Sequence, residues 1–203
     1  MKLTDYPKIT IIMRGYTFNQ EKAILEAIKC SKKPIAVEVT LNSPNALQNI
    51  AKLNELYGQD ILIGAGTVRT LSDVKQIIKA GAKFALGPHN FTKEMFIKCQ
   101  ENNILTVPSA MTPSEINQMF ALGADIVKIF PASVVGPKFF KDVQAPLGKL
   151  NLMAVGGISA KNITEYFSLG ASYVGIGSNL FNPDDLAKEN IHNLTKSILE
   201  LFK

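Results

Sequence analysis

Two stretches of this 203-residue chain carry a charge where an apolar strand would have none. In Ile35-Ala-Val-Glu-Val-Thr-Leu41 the two-residue period of a strand puts Ala36, Glu38 and Thr40 on one face, with Val37 and Val39 on the other. In Ile126-Val-Lys-Ile-Phe130 the same period groups Lys128 with Ile126 and Phe130. A charge buried there is costly unless a partner or a cavity solvates it. Apolar surroundings also pull a lysine toward its neutral form, because desolvation disfavours the ammonium. The neutral amine adds to ketones, and the iminium so formed accepts the electrons of an adjacent C–C bond as it breaks. A nearby carboxylate then moves the protons. Lys128 as nucleophile with Glu38 as acid and base meets these requirements; a buried Lys–Glu ion pair with a purely structural role is the alternative.

A second group of residues suits anions. In Val155-Gly-Gly-Ile-Ser159 and Gly175-Ile-Gly-Ser-Asn179, open backbone N–H groups can receive a phosphate, the candidates being Gly156, Gly157, Gly177 and Ser178. Taken singly each glycine pair reads as a turn, and it is their position after the last two strands that favours the anion. Arg14 can grip a carboxylate through two parallel hydrogen bonds, or simply face water. Gly64-Ala-Gly-Thr-Val68 allows close backbone approach and offers the Thr67 hydroxyl, or is a tight turn. Thr40, Pro88 and Phe130 are candidate pocket walls, whereas His89 beside Pro88 reads as a surface residue.

The elements that must position these groups follow from hydrophobic patterning. Short runs rich in Val, Ile, Leu and Ala alternate with longer amphipathic stretches, the pattern of βα units around a parallel sheet. Strands are expected to end near Arg14, Leu41, Gly66, Gly87, Val107, Phe130, Val155 and Gly177. Helices are expected over 19–31, 44–57, 71–80, 92–102, 113–122, 137–145, 160–169 and 183–201. Lys79-Ala-Gly-Ala-Lys-Phe-Ala-Leu-Gly87, Ala121-Leu-Gly-Ala-Asp-Ile-Val-Lys-Ile129 and Ser168-Leu-Gly-Ala-Ser-Tyr-Val-Gly-Ile176 share one plan: a helix end, a capping glycine and the next strand. Eight units of roughly 20–25 residues nearly fill the chain. A single (β/α)8 TIM barrel over 1–203 is therefore expected, with a doubly wound open sheet as runner-up. In such a barrel the second and sixth strands face each other, so Glu38 and Lys128 converge at its mouth, and the loops after strands seven and eight form the usual phosphate site.

Composition excludes several other classes. The 22 basic and 17 acidic residues give a net charge of +5, but the basic residues are scattered, which argues against nucleic acid as a partner. Hydrophobic residues at 46% against 19% charged provide for a core and exclude a disordered chain. No run reaches the roughly 18 apolar residues of a membrane helix. Met1-Lys-Leu-Thr-Asp-Tyr-Pro7 lacks the apolar stretch of a signal peptide, so the cytoplasm is the expected compartment. Cys30, Cys99, His89 and His192 form no metal-ligand motif; no metal and no cofactor are expected, and the cysteines are read as free thiols.

Val37-Glu-Val-Thr-Leu41, Gly64-Ala-Gly-Thr-Val68, Val127-Lys-Ile-Phe-Pro-Ala132, Ala154-Val-Gly-Gly-Ile158 and Gly175-Ile-Gly-Ser178 together resemble, through nearly the whole chain, the 2-keto-3-deoxy-6-phosphogluconate / 4-hydroxy-2-oxoglutarate aldolases. These are lysine-dependent barrel enzymes that release pyruvate. The resemblance implies Lys128 as the Schiff-base lysine and Glu38 as general acid/base. It puts Thr67 and a nearby arginine on the pyruvate carboxylate, and Gly156, Gly157, Gly177 and Ser178 on the phosphate. It also implies metal-independent catalysis, a homotrimer, and cleavage of a 2-keto-3-deoxy-6-phospho sugar acid to pyruvate and glyceraldehyde 3-phosphate. Cleavage of 4-hydroxy-2-oxoglutarate to pyruvate and glyoxylate is a further implied activity.

Two departures mark this chain: Asn42 stands where many phosphogluconate-type members carry an arginine, and Pro108-Ser109 where relatives commonly have Pro-Gly. Leu41-Asn-Ser-Pro44, Met13-Arg-Gly15 and the run from Phe130 to Pro137 are similar to the 6-phosphogalactonate branch, in which Arg14 would be the clamp. Two other functions fit the same barrel: a phospho-sugar epimerase or isomerase, which needs no imine, and a non-catalytic phospho-ligand binding protein.

Overall fold

The computed structural model describes residues 2–177 and 180–203. Its strands are β1 (Ile9–Met13), β2 (Ile35–Thr40), β3 (Ile63–Gly66), β4 (Phe84–Leu86), β5 (Leu105–Val107), β6 (Ser109–Ala110), β7 (Val127–Ile129), β8 (Leu152–Val155) and β9 (Tyr173–Ile176). They pair in the order β5-β4-β3-β2-β1-β9-β8-β7-β6, every pairing parallel. The two ends of that order, β5 and β6, are halves of one stave divided by Pro108. Proline has no N–H for a ladder, so β5 ends at Val107 as expected, and the chain resumes after Pro108 as the unexpected short β6 with a new partner. β5 pairs with β4, β6 pairs with β7, and the Pro108 carbonyl accepts a hydrogen bond from the Lys128 N–H at 2.8 Å. The nine segments thus make eight staves of a closed (β/α)8 barrel, and no open sheet.

The helices are α1 (Phe18–Ser31), α2 (Ala46–Tyr57), α3 (Leu71–Lys79), α4 (Lys93–Glu101), α5 (Pro113–Ala121), α6 (Ala132–Val135), α7 (Lys138–Leu147), α8 (Ile163–Ser168), α9 (Pro183–Ala187) and α10 (Ile191–Glu200). Threonine caps explain several starts. Thr17, Thr70 and Thr112 each form a reciprocal capping box, with Gln20, Asp73 and Glu115. The expected helices differ in several places, among them the one expected from 160, which starts at Ile163. The second helix starts at Ala46 because Asn45 is left-handed at φ 56°. The last expected helix is two, separated at Glu189, which is left-handed at φ 52°. The short α6 directly after the lysine stave was not foreseen.

Strand alternation sorts the core into two shells. One face of each stave packs outward on the helices, as Val37, Val39, Ile63 and Val127 do against residues such as Ile24, Ile50 and Leu53. The other face fills the lumen with Ile12, Ala36, Phe84, Leu86, Leu105, Val107, Ile126, Met153 and Val155. Tyr6, delivered by a 3-10 turn over Leu3–Asp5, belongs to the same cluster. Its ring meets Phe84 and Tyr173 edge-on at 5.1 and 5.6 Å, and its hydroxyl lies 2.8 Å from Thr10 Oγ1. With the lumen filled below, only the C-terminal mouth remains for a ligand. No described helix is long and apolar enough to cross a membrane.

Candidate active site

β2 and β7 are four staves apart in the closed order, so they stand on opposite walls. Glu38 from β2 and Lys128 from β7 both line one cavity of about 610 Å³ at the barrel mouth. They are 1% and 5% exposed, yet no ion pair among the described residues includes either. Glu38 Oε2 is buried without a hydrogen-bond partner. Lys128 Nζ lies 5.1 Å from the centre of the Phe130 ring, within cation–π range. Burial pushes the Glu38 carboxyl above the ordinary carboxylate range, opposed by the positive charges of Lys128 and Arg14. Burial also lowers Lys128, with Glu38 opposing and Arg14 assisting. Each group is driven toward its neutral form, an amine able to attack and an acid able to donate.

The rim of β1, β2 and β3 holds a polar cluster. Arg14 Nη1 donates to Asn42 Oδ1 at 3.0 Å and reaches Thr67 Oγ1 at 3.5 Å, while Thr67 Oγ1 donates to Asn42 Oδ1 at 3.4 Å. Thr67 is left-handed at φ 58°, strained for a β-branched residue, and this backbone turn accompanies its place in the cavity lining. Asn42 is therefore the acceptor that gathers the arginine and the hydroxyl together.

Gly156 and Gly157 after β8, Gly175 within β9 and Gly177 just after it line another part of the cavity. Gly156 and Gly157 are consecutive left-handed residues at φ 95° and 79°, and a Cβ on Gly157 would come within 2.7 Å of Ser133 Cβ. The bend is pinned by Asn162, whose Nδ2 donates to the Gly157 carbonyl at 2.8 Å and whose Oδ1 accepts from the Ser159 N–H at 2.8 Å. Ser178 lies outside the described residues. Pro88 and Phe130 line the cavity as expected. Thr40 does not: it is fully buried, and its hydroxyl is shared with Ser43 Oγ at 2.9 Å, which in turn accepts from the Gly15 N–H at 2.7 Å. It braces the β1 and β2 exits instead of facing a ligand. His89 is exposed, its Nδ1 2.7 Å from the Asn90 carbonyl.

A profile of the KDPG and KHG aldolases matches residues 8–197. The chain belongs to this family. It is an aldolase, a carbon–carbon lyase. A probable 2-dehydro-3-deoxy-6-phosphogalactonate aldolase of Rhizobium meliloti is 35% identical over 173 residues, 85% of this chain and 81% of that protein. The 2-dehydro-3-deoxy-6-phosphogalactonate aldolase of Escherichia coli is 32% identical over 179 residues, 88% of this chain and 86% of its relative. Among solved structures, a KDPG aldolase of Legionella pneumophila holding pyruvate as a covalent carbinolamine superposes with a TM-score of 0.86 at 26% identity, covering 98% of this chain and 96% of that one.

Several lining residues of this aldolase escaped the sequence reading: Ile12, Tyr16, Ile158, Phe181 and Leu186. Ile12 and Tyr16 were accessible in principle, since they share the two-residue phase of Arg14 along and beyond β1. Phe181 and Leu186 come from the loop and helix after β9, where no period indicates direction. Among the described residues no cluster of three or more His, Cys, Asp or Glu could hold a metal.

Proposed function

We propose that the chain is one barrel domain that cleaves a 2-keto-3-deoxy-6-phospho sugar acid to pyruvate and glyceraldehyde 3-phosphate through an imine on Lys128. One observation carries the reading: Lys128 and Glu38, both buried and both driven toward neutrality, open into one cavity from opposite walls without pairing. The Lys128 amine adds to the substrate carbonyl, and the carbinolamine loses water to give the iminium. Glu38 gives its proton to the departing hydroxyl of the carbinolamine and, as the carboxylate, takes the proton of the hydroxyl two carbons from the iminium carbon; the bond joining that hydroxyl-bearing carbon to the carbon beside the iminium breaks, and the electrons of that bond pass to the iminium to give the enamine. The aldehyde leaves, the enamine recovers a proton from Glu38, and water releases pyruvate and the free amine.

Arg14 and Thr67 would hold the carboxylate, whereas the backbone at Gly156, Gly157 and Gly177, together with Ser178, would take the phosphate. The galactonate-derived substrate is the favoured configuration, supported by the names of two relatives and by Asn42 in place of the arginine. 4-Hydroxy-2-oxoglutarate, lacking a phosphate, would be the poorer substrate. No step in this scheme calls for a metal or a bound cofactor. A homotrimer is the proposed assembly, with exposed Leu56, Ile97 and Val134 as candidates for surface covered between protomers. The proposed place is the cytoplasm, where phosphorylated sugar acids are retained by their charge.

The test is borohydride reduction in saturating pyruvate. A stable adduct on Lys128 is expected. Its absence, with phospho-sugar isomerisation intact, would favour an epimerase or isomerase; unchanged function in Lys128→Ala would point to a binding protein.

A further inference from the structure

Glu38 has to be aimed as well as buried, yet none of the hydrogen bonds among the described side chains restrains its carboxyl, and Oε2 has no partner at all. What fixes it is the shape of its surroundings. Gly66 ends β3, the stave beside β2, and is in register with Thr40 two residues beyond Glu38. A Cβ built on Gly66 would stand 1.4 Å from Glu38 Oε1, 2.2 Å from Cδ and 2.6 Å from Cγ. The carboxyl thus occupies the volume that any other residue at 66 would fill. Gly66 is absent from the glycines with positive φ, so its backbone is one that alanine adopts without strain. The missing side chain, and not a special turn, is what this position supplies.

We propose that Gly66 is a positioning residue of the aldolase reaction: the empty Cβ site on β3 is the seat that holds the Glu38 carboxyl facing the lysine. This rests on the reading of Lys128 and Glu38 given above. An alanine methyl at 66 has to displace Oε1 by about 2 Å to restore an ordinary contact distance near 3.5 Å. A misplacement of about 1 Å in a catalytic group already costs on the order of 100-fold in rate.

The experiment compares wild type, Gly66→Ala, Glu38→Gln, Glu38→Ala and the Gly66→Ala/Glu38→Ala double variant. It measures borohydride-trapped pyruvate on Lys128 at equilibrium, the rate at which pyruvate methyl protons exchange with deuterated water, the pH profile of that exchange, and Tm. Gly66→Ala is expected to trap pyruvate at equilibrium while losing exchange on the order of 100-fold, with the Glu38 limb of the pH profile lost. In the Glu38→Ala background, where the seat is vacant, the same substitution should change neither exchange nor Tm further.

Exchange in Gly66→Ala within threefold of wild type, or an equal Tm loss in both backgrounds, would overturn the proposal. Failure of the underlying reading has a different signature: no trapped pyruvate in wild type, or undiminished exchange in Glu38→Gln while Gly66 is intact. If Gly66→Ala fails to fold, the double variant decides, since it folds like Glu38→Ala only if the clash is with Glu38.

Discussion

Replacing Arg14 by alanine should separate recognition of the carboxylate from formation of the imine. Arg14 engages Asn42 at 3.0 Å and Thr67 at 3.5 Å through Nη1 and keeps the N–H groups of Nη2 and Nε for an anion at the cavity rim. A hydrogen bond to a charged group contributes about 1.5–3 kcal/mol, and solvent screening at an exposed rim reduces each bond here to about 1–1.5 kcal/mol. Loss of a two-bond grip is then worth about 2–3 kcal/mol, or roughly 30- to 150-fold in half-saturating pyruvate. The carboxylate is bound alike before and after the carbonyl reacts, so the loss should fall on KM with little change in kcat. Hydroxyacetone, a ketone without a carboxylate, provides the control. Arg14 also helps to lower the Lys128 pKa, so the alanine variant should need a higher pH to reach full activity with either ketone. Borohydride trapping rates are therefore to be compared on the alkaline plateau of each variant. Equal losses for pyruvate and hydroxyacetone there, or an unchanged half-saturation for pyruvate, would refute the clamp.

Two further outcomes follow from the buried groups. Lys128→Met should abolish cleavage and trapping yet fold. Without the neighbouring positive charge Glu38 is pushed further toward its neutral form, so the variant's Tm should fall as pH rises above the ordinary carboxylate range. A Tm rising from pH 5 to 8 would contradict this. Glu21 is fully buried on α1, with Oε1 unpartnered and Oε2 accepting from Asn49 Nδ2 at 2.8 Å; burial raises its pKa to about 7 from 4.5. The native state holds that proton where the unfolded chain has released it, so stability is lost as pH climbs from about 4.5 to about 7. Glu21→Gln should match wild type near pH 5 and exceed it by about 2–3 kcal/mol above pH 8; urea unfolding at both pH values measures the difference, and a pH-independent one would refute the assignment.

The two buried charges that share the cavity were legible because a charge within an apolar strand breaks the pattern that defines the strand. Glu38 and Lys128 announce a cavity for the same reason that Val37 and Val127 announce a core. Their convergence required only the strand count, since opposite staves follow from any closed eight-stranded order. The period put Thr40 on the face of Glu38, but it cannot tell whether a hydroxyl there will face a ligand or a neighbour. Ser43, three residues on, settles that through a loop whose path has no period. Tyr6 and Phe181 reach the barrel from outside any strand, and Pro108 divides a stave whose residues alternate without interruption. Alternation reveals which way a side chain points, not which distant segment comes to meet it.

The same limit bears on Asn42. Asparagine carries no charge for a carboxylate, whereas in the fold its Oδ1 draws in the arginine of the adjacent stave. β1 pairs with β2 on one side and with β9 on the other, so Arg14 leaves the barrel between the wall of the acid and the wall of the phosphate loops. Held by Asn42 and Thr67, its guanidinium is turned toward the β2 and β3 exits and away from β9. In the proposed scheme a substrate with an anion at each end would lie with its carboxylate against this cluster, its phosphate against Gly156 and Gly157, and its carbonyl facing Lys128. Substituting Asn42 should therefore weaken the orientation of the substrate more than its total affinity.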